Sequence, residues 1–213
     1  SKDTSELVFN GIGDLQVGQG YQIKTSSEVS LEVVGDYAFP EDHSITLSLG
    51  WNMIGYLREE PSNTVAVFSE INDEGNIEIV KDFTGSAYLP AWEFNGLGDL
   101  EPGQGYQLKM INEDVLNYLP NNQSYRFGPV EVIENTLKHF IEIVPTDNNM
   151  TIVINDAVWD KIPDNGAEIA AYDNQGNMVG SVAYTKPVTV LSVWGDDGLT
   201  TTKEGLSVME ALS

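Results

Sequence analysis

The chain has 213 residues, of which 33 are acidic and 10 are basic, so its formal net charge is −23. A field of that sign repels phosphate backbones and argues against nucleic-acid binding. The chain has no cysteine, which excludes disulfides, thiol catalysis and thiolate metal sites. It also has no apolar run of about 20 residues, so we expect no membrane span. Hydrophobic residues make up 41% of the chain, enough for one large or two modest cores.

A glycine-rich segment occurs twice. Residues 9–24 read FNGIGDLQVGQGYQIK and residues 94–109 read FNGLGDLEPGQGYQLK. In the second copy Pro102-Gly103 predicts a turn, and the alternation over residues 105–110 predicts a strand with Tyr106 and Leu108 on one face. A phosphate-binding loop would instead have to lead into a helix. The segment is therefore interpreted as an internal structural repeat with a shared backbone.

The order of patterns predicts three parts of the chain. Residues 1–43 form the second half of a repeat unit plus a connection, residues 44–122 form a complete unit, and residues 123–213 form a β-sandwich domain. Because the first copy lacks the half that precedes it in the complete unit, we expect the chain to derive from a longer protein. The predicted fold class is mainly β, with tandem β-domains, the second a β-sandwich, and one short helix in the first.

Most elements are predicted from alternation and turn residues. The helix spans residues 62–71, after Pro61 and with Ser62 or Asn63 as its N-cap. The boundary between the two domains is expected within residues 121–128. The predicted strands cover residues 28–34, 45–49, 52–56, 77–83 and 105–110 before that boundary, and residues 140–144, 150–154, 168–172, 178–184 and 188–194 after it.

Calcium is the cofactor hypothesis that the acidic residues support. Asp173 lies in the segment DNQGN, and the neighbouring carboxylates of Asp196 and Asp197 precede a glycine. Such loops offer the hard oxygen donors that calcium prefers. The alternative is that Asp, Asn and Gly are there because hairpin turns need them. No segment has the full EF-hand pattern.

The histidines, acids and tryptophans are the remaining candidates for a catalytic or ligand-binding site. His43 and His139 are the two histidines, and neither has a nucleophile elbow or zinc-ligand spacing beside it, so we predict no catalytic residue. Pairs of acids are too abundant to indicate a glycosidase. Trp51, Trp159 and Trp194 are expected to pack in the core. Trp92, just before the second repeat, is the candidate ligand-binding residue because we expect it to be exposed.

Several motifs together resemble a known group of modules. They are GWNMIG at residues 50–55, PGQGYQ at residues 102–107, GAEIAAYDNQGNMVGS at residues 166–181 and VWGDDG at residues 193–198. The combination is similar to modules of large secreted cell-surface proteins of Bacteroidota, which are commonly exported by type IX secretion. The resemblance implies an extracellular location more than an activity.

Function is predicted accordingly. The leading hypothesis is a non-catalytic extracellular structural or adhesive module of a larger surface protein, with assembly by strand addition between subunits as a further expectation. The expected partners are other domains of the same protein, other surface proteins, a second copy of the chain, or a glycan. The alternative is a carbohydrate-binding module accessory to a secreted enzyme, which an exposed aromatic pair in a groove would favour. A catalytic domain, which a deep pocket of acids would favour, comes third.

Overall fold

The computed structural model describes residues 11–25, 27–32, 34–73, 75–125, 136–146, 148–196 and 205. The prediction of a mainly β fold is confirmed, because strands are far more extensive than helices in these residues. The described residues contain two short α-helices where one was predicted. No helix among the described residues is long and apolar enough to cross a membrane.

The first region comprises residues 40–116 and holds most of the described strands. Its strands are β1 (Ile45–Leu47), β2 (Gly50–Gly55), β3 (Ser62–Asn63), β4 (Ile77–Lys81), β5 (Ala87–Leu89), β6 (Phe94–Asn95), β7 (Asp99–Leu100), β8 (Gly105–Met110) and β9 (Asp114–Leu116). Its helices are α1 (Thr64–Val67) and α2 (Ser69–Asn72), and 3-10 turns occur at Pro40–Asp42 and Pro90–Trp92.

A five-stranded sheet with the order β2-β8-β4-β5-β6 forms the centre of the first region. β2 and β8 pair antiparallel, with Ile54 opposite Tyr106 and Trp51 opposite Lys109. Because side chains alternate across a strand, this register places Ile54 and Tyr106 on the inner face, where both are buried. Trp51 and Lys109 lie on the outer face.

The inner face is covered by the helices and by the short β1–β9 and β3–β7 pairs, around a core that includes Phe68, Val80 and Leu108. The helical segment begins at Asn63, whose side-chain oxygen accepts hydrogen bonds from the backbone N–H groups of Val65 and Ala66. Asn63 is therefore the N-cap that the sequence predicts.

β4 departs from simple alternation. A register shift between Ile77 and Ile79 places these two isoleucines in different apolar clusters. Ile77 belongs to the inner core, whereas Ile79 and Lys81 lie on the outer face with Lys109. A β-bulge re-aims side chains in this way by adding one residue to a strand.

The second region comprises residues 149–194. Its strands are β10 (Asn149–Asn155), β11 (Glu168–Tyr172), β12 (Met178–Ala183) and β13 (Val188–Trp194), with a 3-10 turn at Asp156–Val158. β10 pairs with β13 and β11 pairs with β12, both antiparallel. Because these are two separate two-stranded sheets, the predicted β-sandwich is not confirmed, although Val179, Leu191 and Val193 share one apolar cluster.

Two predicted strands are wrong. The described residues of 28–34 form no strand, and Val29 and Leu31 are exposed. Residues 140–144 also form no strand. Both segments alternate in sequence, but neither pairs with a strand among the described residues. Alternation alone does not supply the ladder hydrogen bonds that define a strand.

The two repeat copies share a turn. The backbone N–H of Gln16 donates to Tyr21 Oη at 2.8 Å, and the backbone N–H of Glu101 donates to Tyr106 Oη at the same distance. The prediction of a common backbone is therefore supported for the turn. It is wrong for the strand, because residues 105–110 form β8 whereas residues 21–24 form none.

The first copy lies against the free edge of β2. Gly20 N–H donates to Met53 O at 3.1 Å, and Gly55 N–H donates to Gly18 O at 2.9 Å, which makes an antiparallel bridge. A Cβ atom at Gly20 would lie 2.6 Å from the Ile54 carbonyl oxygen. The close approach of the two backbones therefore requires glycine at this position.

Arg58 links the first region to the segment that follows it. The side chain is buried and donates to Ser62 Oγ at 2.6 Å, to Pro120 O at 3.2 Å and to Gln123 O. The guanidinium carbon lies 5.0 Å from the ring centroid of Tyr125. The forked donor geometry of arginine allows one side chain to bind both carbonyl groups.

Replacing Arg58 with methionine should lower the free energy of unfolding by about 2–4 kcal/mol, because hydrogen bonds to a charged group are lost and carbonyl groups are left without a donor. Urea denaturation measures the change. R58K should be intermediate, and K161M, at an exposed site, should stay within about 0.5 kcal/mol of the native protein. An R58M variant as stable as K161M would contradict this role.

Glu168 holds the segment that precedes β10. Its carboxylate accepts hydrogen bonds from the backbone N–H groups of Lys138, His139 and Phe140, at 2.8 to 3.1 Å. The bond from Phe140 is the largest of the effects that lower the pKa of Glu168 from 4.5. Because these donors favour the ionised carboxylate, the contact is complete above the ordinary pKa and is lost as the pH falls through the lowered one.

Acidification should therefore release residues 138–140. Amide hydrogen-exchange protection factors at these positions should fall between about pH 6 and about pH 2. E168Q should show low protection at every pH, because an amide offers one acceptor oxygen in place of two. E142Q, which alters an exposed neighbour, serves as the control. Protection that is unchanged by pH would overturn this assignment.

Candidate ligand groove

A groove of about 630 Å³ lies between the outer face of the central sheet and β10. Two tryptophans line it, and both are unusually exposed: Trp51 at 55% and Trp92 at 43%. Exposed indole rings beside polar groups are typical of ligand sites, because each ring offers a large apolar surface and one N–H donor.

β2 places Trp51 in the groove. The residue lies opposite Lys109 in the β2–β8 ladder. Two ammonium groups face its ring: Lys81 Nζ is 5.1 Å and Lys109 Nζ is 5.9 Å from the ring centroid. These distances fall within the range of cation–π attraction. Trp51 therefore has a fixed orientation and keeps more than half of its surface open.

Trp92 is positioned by the 3-10 turn after β5. Pro90 starts the turn, and Glu93 ends it with a positive φ of 51° while its N–H donates to Pro90 O at 3.0 Å. Proline is suited to the first position of a helical turn because its φ is already set. The turn leaves Trp92 exposed before the chain returns in β6.

Lys81 is the principal charged group of the groove wall. It is only 6% exposed, and its Nζ donates to Asn149 Oδ1 at 2.7 Å. Burial lowers the pKa of Lys81, because desolvation disfavours the charged form. Within the described part of the chain no carboxylate forms an ion pair with this ammonium group.

Lys109 has a different environment. Its Nζ lies 2.8 Å from Glu78 Oε1, in an ion pair where both side chains are partly exposed. The bulge in β4 brings Glu78 to this side of the sheet. The pair neutralises one charge at the mouth of the groove, so the net charge near Trp51 comes from Lys81.

The far wall belongs to the second region. Ile79 and Leu89 of the sheet form an apolar cluster with Val153 and Val190. Ser192 Oγ donates to the Gly85 carbonyl oxygen at 2.8 Å. These contacts, with the Lys81–Asn149 hydrogen bond, hold β10 and β13 against the sheet and set the width of the groove.

Two side-chain oxygens of groove residues have no hydrogen-bond partner in the described structure. They are Asn72 Oδ1 and Thr151 Oγ1, and both atoms are buried. A buried polar atom without a partner costs free energy. The walls of the groove therefore contain an amide and a hydroxyl whose buried oxygens lack a partner in the described structure, and an ammonium group with one acceptor.

The structure distinguishes the four tryptophans. Trp92 is exposed, as predicted, and Trp194 is buried, as predicted. The expectation of core packing is wrong for Trp51, because β2 directs it away from the inner core. Trp159 is partly buried and packs edge-to-face on Tyr184, with ring centroids 6.1 Å apart.

The residues of the calcium hypothesis lie away from the groove. Asp173 is buried in the β11–β12 turn, where its carboxylate accepts bonds from Gln175 N, Asn177 N and Asn177 Nδ2 at 2.8–2.9 Å. Asp196 follows β13, and Asp197 lies outside the described residues. No group of three or more metal-ligating side chains occurs in the part of the chain that is described. Calcium binding stays a prediction.

Sequence reasoning missed Lys81, Lys109 and Asn149. Alternation in β4 and β8 could have indicated that the two lysines share a strand face, but not that this face carries Trp51. The contact with Asn149 joins residues 68 positions apart, which no local pattern encodes.

Comparison of the chain with family models, curated proteins and solved structures gives no match. The groove is therefore interpreted from its own geometry.

Proposed function

We propose that this chain is a non-catalytic extracellular module of a larger surface protein, and that it binds a glycan in the groove. The observation that carries the proposal is the exposure of Trp51 and Trp92 along one groove. Sugar rings pack their apolar faces on indole rings while their hydroxyls need hydrogen-bond partners. The polar side chains of Asn72, Thr151 and Asn149 line the walls.

The extracellular location is part of the same proposal. It is supported by the resemblance of the GWNMIG, PGQGYQ and VWGDDG motifs to modules of secreted Bacteroidota surface proteins, and by the acidic surface. In this view the two regions are tandem β-domains, and their contact through Ile79, Val153 and Val190 gives the module a fixed shape. An adhesive module requires a defined surface for its partner and does not require a reactive group.

A carbohydrate-binding module attached to a secreted enzyme would use the same groove. The adhesive and accessory alternatives differ in the domains that accompany the module, so the sequence adjacent to it in the parent protein distinguishes them.

The variants W51A and W92A should each reduce binding to a retained polysaccharide by about two- to tenfold, since stacking on one aromatic ring contributes about 0.5–1.5 kcal/mol. Affinity electrophoresis against a panel of polysaccharides, followed by calorimetry, measures the loss. F83A is the matched control, because Phe83 is also exposed but does not line this groove. Retention of full affinity by both tryptophan variants would refute glycan binding at this site.

Self-assembly by strand addition is the second part of the proposal, and a separate observation favours it. Leu15 and Ile23 in the first repeat copy are 61% and 67% exposed, whereas their equivalents Leu100 and Leu108 are fully buried. Exposed apolar residues of this kind mark a surface that another chain can cover. We propose that a second copy of this chain covers them.

Sedimentation velocity over a concentration series tests this assembly. The native chain should form larger species as its concentration rises, and L15D with I23D should prevent this because a charge cannot be buried unpaired. V158D, at an exposed apolar residue of the second region, should assemble like the native chain. A strictly monomeric native chain at high concentration would exclude assembly through this surface.

A further inference from the structure

The groove contains a buried ammonium group for which the described residues provide no carboxylate partner. Lys81 is 6% exposed, and in the described structure its ammonium group has one hydrogen-bond acceptor, Asn149 Oδ1. A lysine ammonium has three donors. Buried charges are normally paired, and this chain has 33 acidic residues from which a partner could have come. The unpaired charge is therefore unexpected.

The ammonium group of Lys81 lies beside the exposed Trp51 in the groove. Lys81 Nζ lies over the Trp51 ring, 5.1 Å from its centroid, so a ligand that packs against the exposed part of this ring lies close to the ammonium group. Glu78 is the carboxylate that lines the same groove, and it is already paired with Lys109 at 2.8 Å. Among the described residues, an incoming anion therefore meets one ammonium group without a carboxylate partner, Lys81, and one neutralised pair.

We propose that the groove selects an anionic saccharide, with a sugar ring stacked on Trp51 and a ring carboxylate of the uronate type bound by Lys81. The proposal rests on the glycan function proposed above and names its ligand class. A carboxylate would accept the donors that Asn149 leaves unused, and a charge-assisted hydrogen bond is about twice as strong as a neutral one.

The overall charge of the chain works against any anion, so selectivity has to arise at short range. Surface charges are screened beyond about 8 Å at physiological ionic strength. At that salt concentration the distant carboxylates contribute little, whereas the buried Lys81 is screened much less. The preference for the acidic sugar should therefore be measured at physiological salt.

The test compares a short oligogalacturonate with the same oligosaccharide after methyl esterification of its carboxylates. Calorimetry and quenching of tryptophan fluorescence report binding to the full chain. The native protein should bind the acidic form at least about tenfold more tightly than the ester. K81M should lose more affinity for the acid than for the ester, so that the preference for the acid disappears, and K81R should restore most of that preference.

K161M is the control, since it removes one exposed positive charge away from the groove. It should bind both probes like the native protein. Circular dichroism confirms that each variant is folded, and K81R keeps the comparison valid if K81M is unstable.

Several outcomes would overturn the proposal in ways that differ from failure of the glycan function. Equal affinity of the native protein for acid and ester, or a K81M variant that binds the acid normally, refutes the role of Lys81. If W51A still abolishes binding of the ester in that case, glycan binding stands without charge selection. If neither the acid nor the ester binds the native protein, selection of uronate-type sugars is refuted.

Discussion

The antiparallel pairing of β2 with β8 is the interaction on which the first region and its groove both depend. With Ile54 opposite Tyr106 and Trp51 opposite Lys109, one ladder supplies both faces of the sheet. The inward residues complete the apolar core under the helices. The outward residues form the floor of the groove. A shift of the register by one residue would exchange the two sets, so the same backbone hydrogen bonds maintain the core and position the candidate site.

The parts of this fold that the sequence predicts are those that depend on local interactions. The strand at residues 105–110, the turn at Pro102-Gly103 and the N-cap at Asn63 each follow from residues within a few positions of one another. The bulge in β4 does not follow from the local sequence. Alternation places Ile77 and Ile79 on one face, and the structure separates them because β8 fixes the positions of their partners.

The candidate site was only partly predictable for the same reason. Exposure of Trp92 follows from a local proline turn, but exposure of Trp51 depends on which face of the sheet the second region covers. Val153 and Val190 cover Ile79 and Leu89 and stop short of Trp51. The contact of Lys81 with Asn149 adds a constraint from a distant segment. A groove between two regions is a property of their packing, and the sequence of either region alone does not contain it.

The two repeat copies have nearly the same sequence but different surroundings, so a comparison shows which features the local sequence determines and which depend on neighbouring elements. Their turns have the same tyrosine hydrogen bond at 2.8 Å, because glycine and tyrosine positions are common to both. Yet Leu100 is in a core and Leu15 is in solvent, although these leucines are equivalent in the repeat. Burial is a property of the covering elements, which only the second copy has within the described chain. The exposed residues of the first copy thus correspond to residues that fill the core of the second, and that correspondence defines the chemistry that a covering surface would need: apolar side chains such as Phe68 and Val80, which belong to the same core cluster as Leu100 and Leu108.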